Sequence, residues 1–136
     1  MGNIGELLGS LTGLLFLLAL LNYPVKWINK RWISKLPKTS SVKKGYMSIM
    51  KLLVQKHRFF AFGAVITLAV HFYLQITYKW LSITGTITGG LMILTILLGG
   101  NLFFRHKGTR GLLFKAHRIS ALLTLVAFVV HSITGI

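Results

Sequence analysis

The chain has 136 residues, 54% of them hydrophobic, and sets 16 Lys and Arg against a single acid, Glu6. Only 12% are charged, where a soluble domain carries about a quarter, and the bases sit between apolar runs; this excludes an ordinary nucleic-acid-binding module. There is no cysteine, which excludes disulfides, thiolate-held iron–sulfur or zinc sites and covalent c-type haem attachment within these residues.

Apolar stretches of about 18 or more residues read as membrane helices, and four occur. The expected fold is therefore all-α: an integral membrane four-helix bundle, up-down-up-down, forming one membrane domain over 1–136. The first span, about 4–25, is Leu-rich, with Gly5, Gly9 and Gly13 on one helix face, a spacing that favours close helix packing. It has no basic n-region and no small-residue cleavage site, so it reads as a span rather than a secretory signal. Gly2 is not followed by Ser or Thr at position 6, so a myristoylation motif is not expected. Glu6 lies near the end of the span and is expected at the interface.

A basic interfacial loop is expected over 26–48, with Pro24 and Pro37 as punctuation and Trp27 and Trp32 among the charges. Aromatic and basic residues in alternation suit the headgroup level, where each base contributes about 1 kcal/mol of attraction to an anionic leaflet. The second span, about 50–79, carries His57 and His71 and ends in an aromatic belt of Tyr73, Tyr78 and Trp80. The third, about 81–104, is rich in Gly and Thr; its glycines at 85, 89, 90, 99 and 100 allow a helix or a flat macrocycle to approach. A short basic loop over 105–111 leads into the fourth span, about 112–135, which carries His117 and His131.

All the Lys and Arg except Lys79 lie in or beside the loops after spans one and three. The positive-inside rule then makes both loops cytoplasmic and both termini external, in a cell (inner) membrane protein. Spans two and four run in the same direction, so His57 is level with His117 near the cytoplasm and His71 with His131 near the outer face.

Each histidine pair is separated by 14 residues, inside the repeated pattern His57-Arg58…His71 and His117-Arg118…His131. Fourteen steps of about 100° end about 40° short of four full turns, so each pair shares a helix face, with its rings roughly 21 Å apart along the axis. Polar imidazoles at that depth are expensive and mark function. A lone histidine would be read as a packing residue; two matched pairs at two levels suggest two metal centres. Each level offers two imidazoles and no carboxylate or thiolate, too few for zinc. A proton relay would need intramembrane carboxylates, and Glu6 is peripheral. Two haems b, held non-covalently by His57 with His117 and by His71 with His131, satisfy the pattern. Arg58 and Arg118 are candidates to meet the inner haem's propionates, since guanidinium pairs well with carboxylate in a desolvated site; Lys56 and Lys115 are weaker ones. Gly63 is a candidate to make room for a porphyrin face, and His106 for a quinone or donor contact.

On these residues and the order of the four spans, nearly the whole chain resembles the di-haem b-type cytochromes, including the N-terminal four-helix bundle of cytochrome b. It is also similar to the membrane domains of ferric reductases and NADPH oxidases. The resemblance implies a small bis-histidine cytochrome that transfers electrons across the membrane as a subunit of a redox complex or linked to quinone. The 136 residues contain no flavin or NAD(P) domain of their own, and no long loop or further helices of the kind that build cytochrome b's quinol site. Neither flavin reduction nor quinol oxidation is carried over. The expected partners are membrane lipid and a redox protein or quinone, with a homo- or hetero-oligomer possible and no nucleic acid. Two alternatives are a small four-helix cation or multidrug exporter, with Glu6 in its first helix, and a structural haem-binding anchor subunit.

Overall fold

The computed structural model describes residues 2–78, 81–105 and 111–135. Lys79, Trp80 and the 106–110 segment with His106 lie outside them. The described elements are α1 (Gly2–Leu20), α2 (Asn22–Arg31), a single 3-10 turn (Ile33–Lys35), α3 (Ser41–Tyr78), α4 (Ile83–Phe104) and α5 (Leu112–Thr134). Four helical stretches, Ile4–Lys35, Ser41–Tyr78, Ile83–Phe104 and Leu112–Thr134, are long and apolar enough to cross a membrane. The fold is all-α with four spans, as expected.

Local chemistry sets the helix ends. Ser82 caps α4, its hydroxyl accepting from the Gly85 amide at 3.0 Å. Gly135 ends α5 in the left-handed conformation at φ 62°, and its amide donates to the His131 carbonyl. Between α2 and α3 the chain passes Pro37, which lacks the amide a helix would need. The Ser40 hydroxyl then accepts from the Lys43 amide at 3.4 Å, and Lys43 Nζ donates to the Ser34 and Leu36 carbonyls at 3.0 and 2.7 Å. The basic stretch 26–48 is thus mostly helix, in α2, the 3-10 turn and the first turns of α3, rather than open loop. At 38 residues α3 is about 57 Å long, roughly twice the hydrocarbon core, so its basic first turns extend past that core into the headgroup region.

The chain forms two compact units, Gly9–Thr67 and Met1–Leu8 with Leu68–Ile136. In the first, Thr12 of α1 donates to the Thr67 hydroxyl at 2.9 Å, and Gly63 faces Leu15, whose Cδ1 would lie 3.3 Å from an added Cβ. In that unit, then, Gly63 admits an α1 leucine. In the second unit α4 and α5 run antiparallel along one small-residue seam. Its centre is a buried hydroxyl cluster: Thr95 Oγ1 lies 2.7 Å from Ser120 Oγ and 3.1 Å from Thr124 Oγ1. Thr124 and Thr95 also donate to carbonyls one turn back in their own helices, which leaves no hydroxyl of the cluster unsatisfied in apolar surroundings.

Candidate metal-ligating histidines

The four histidines occupy equivalent places in their helices. A buried residue stands near the middle of each span: Thr12 at 4%, Ala64 at 2%, Met92 at 2% and Thr124 at 0% exposure. His57, His71, His117 and His131 themselves are all half-buried. Small or unbranched side chains at the waist allow close helix contact there, while the imidazole rings keep part of their surface accessible.

In every case the ring is held through Nδ1 by an oxygen of a neighbouring helix. His57 Nδ1 lies 2.8 Å from the Ala19 carbonyl oxygen within one unit. In the other, His71 Nδ1 is 2.7 Å from the Gly5 carbonyl oxygen, and His117 Nδ1 is 2.8 Å from that of Thr95. His131 Nδ1 is 3.0 Å from the Thr84 hydroxyl oxygen and 3.5 Å from that of Ser82. A carbonyl oxygen only accepts, so in the first three rings the proton sits on Nδ1 and the lone pair on Nε2. That is the arrangement metal-bound histidines adopt: one nitrogen donates to a fixed oxygen while the other faces the metal.

The supporting positions repeat with the histidines' own interval. Gly5 and Ala19 on α1 are 14 residues apart, matching His71 and His57 on α3. Gly85 and Gly99 on α4 are 14 apart as well, and match His131 and His117 on α5. A Cβ at Gly99 would lie 3.0 Å from His117 Cε1, and one at Gly85 would lie 3.0 Å from His131 Cε1. These two glycines are seats for the imidazole rings. Gly90 and Gly100, on the same helix, would meet nothing within 4 Å.

His71 and His131 belong to the same unit. His57 and His117 belong to different units. Arg118 lies over the Phe114 ring of its own helix at 5.7 Å, and Arg58 is exposed on α3 beside His57. Lys56 lies over Phe59 at 4.9 Å. Tyr73 and Tyr78, of the expected belt, are exposed.

Among the described residues no group of three or more His, Cys, Asp or Glu side chains gathers to hold an ion. A site that offers two imidazoles fits a metal that arrives with its other ligands, and the four-nitrogen macrocycle of a haem is such a carrier. The donor set, neutral Nε2 lone pairs in an apolar helical setting, suits that group. The fold and these side chains define a multi-pass α-helical membrane protein with four imidazoles, each anchored through Nδ1. No family model, curated protein or solved structure matches the chain.

Proposed function

We propose that the protein is a small di-haem b-type cytochrome that carries electrons across a cell membrane. The observation that supports this most directly is the state of the four rings: each has Nδ1 tied to a partner oxygen at 3.0 Å or less. Packing alone would not ask for four rings anchored through Nδ1, in two pairs with the same 14-residue interval.

In this reading His71 and His131 bind one haem and His57 and His117 the other, the latter pairing resting on the sequence repeat. Haem held by two imidazoles supplies a saturated, one-electron carrier. The Nδ1–H···O bonds fix each ring's tautomer and plane and strengthen Nε2 as a ligand. The apolar helices exclude water, and Arg58 and Arg118 neutralise haem carboxylates at the inner level. The positive-inside rule puts that level at the cytoplasmic face, with both termini external. Electrons come from and go to a partner redox protein or a membrane quinone.

The test is haem content per polypeptide from cells well supplied with porphyrin. The parent is expected to bind two haems, and H71A/H131A and H57A/H117A one each, with all pigment lost when the four changes are combined. A colourless parent overturns the proposal and favours the exporter. Transfer between dyes on the two sides of liposomes separates an electron carrier from a structural haem-binding anchor.

A further inference from the structure

A groove lies at the basic end of the unit Gly9–Thr67, reaching Val54, one helical turn before His57. There α2 runs beside the first turns of α3, joined to them by Tyr46 Oη, which donates to the Val25 carbonyl oxygen at 2.8 Å. Close to that bond in the chain, the groove is open, about 500 Å³ in volume and lined by Met47, Met50 and Val54. Lys26 of α2 and Lys51 of α3 line it from the two helices. Trp27 and Trp32, edge to face at 5.1 Å, are exposed on the same stretch, as residues at the headgroup level are.

We propose that this groove binds one anionic phospholipid, its phosphate between Lys26 and Lys51 and its apolar part along Met47, Met50 and Val54. The pairing of two cations with an uncharged, flexible methionine lining matches an amphiphile with a negative head. The stretch from Lys26 to Arg58 carries ten Lys and Arg and no acid, so nothing in it competes for the lysines. A general basic surface attracts many anionic lipids loosely. A groove with lysines from two helices holds one in place, and the lipid in turn braces α2 against α3.

The full chain in detergent is titrated with dioleoylphosphatidylglycerol and, separately, dioleoylphosphatidylcholine, and bound lipid is counted by native mass spectrometry. One phosphatidylglycerol is expected to be retained, and phosphatidylcholine far less. K26Q/K51Q is expected to weaken binding about thirtyfold, the effect of two lysines beside an anionic headgroup. K35Q/K38Q removes the same charge outside the groove and is expected to change binding by less than about threefold. S48W places a ring in the groove from the exposed Ser48 and is expected to block the site with no change in charge. Equal losses in both lysine pairs, equal binding of the two lipids, or undiminished binding by S48W would each overturn the proposal. Haem content does not enter the measurement, so the result is independent of the function proposed above.

Discussion

Gly99 offers the sharpest test of how the histidine rings are seated. A methyl group there would lie 3.0 Å from Cε1 and 3.3 Å from Nδ1 of His117, closer than carbon normally approaches either atom. The ring cannot simply retreat, because Nδ1 is held 2.8 Å from the Thr95 carbonyl oxygen, one turn away on the same helix. In G99A either that bond lengthens or α4 moves back from α5. Such overpacking costs about 1–3 kcal/mol, against a gain of about 0.5–1 kcal/mol from replacing glycine in a helix interior. The net loss is about 1 kcal/mol. G100A makes the same chemical change one residue on, where nothing lies within 4 Å, and keeps only the gain. The two variants are therefore expected to differ by about 2 kcal/mol, and to move the apparent thermal midpoint in detergent in opposite directions. With His117 a haem ligand as proposed, G99A is also expected to retain roughly 10–100-fold less haem on dilution, while G100A retains the parent level. If G99A and G100A behave alike, the ring is not seated on Gly99 and the reasoning fails.

Three further outcomes follow from the same geometry. T84V removes the hydroxyl 3.0 Å from His131 Nδ1 and is expected to shift the potential of one haem only, read by redox titration; T95V leaves the Thr95 carbonyl in place and is expected to lower thermal stability by about 1–3 kcal/mol with both potentials kept. Y46F removes the 2.8 Å bond to Val25 and is expected to destabilise α2 by about 1 kcal/mol, seen as faster amide exchange across Asn22–Arg31 with α5 unchanged. The chain has no cysteine, so single cysteines report topology cleanly: S40C is expected to resist a membrane-impermeant thiol reagent added to intact cells, whereas T134C reacts. The opposite pattern would invert the orientation.

The four spans and the four histidines were legible in the sequence because both depend on chain-local quantities. A run of apolar residues crosses a bilayer whatever its neighbours do, and a 14-residue interval returns to one helix face by helical geometry alone. The helical character of 41–49 was not legible: its lysines, Ser48 and Gly45 read as loop, yet the Ser40 cap and the Lys43 contacts to Ser34 and Leu36 let α3 begin there. The supporting positions fall between these cases. The 14-residue spacings of Gly5 with Ala19 and Gly85 with Gly99 stand in the sequence, but nothing there separates them from Gly63, Gly90 or Gly100.

By itself, then, the sequence determined an all-helical, four-span membrane protein with two matched pairs of inward-type polar rings. Only the tertiary structure decided which glycines meet an imidazole and which oxygens receive its proton. The reason is physical: three of those oxygens are main-chain carbonyls, of Gly5, Ala19 and Thr95, and every residue has one. A carbonyl acquires its role from the helix that comes to lie against it, and no side-chain pattern announces that in advance.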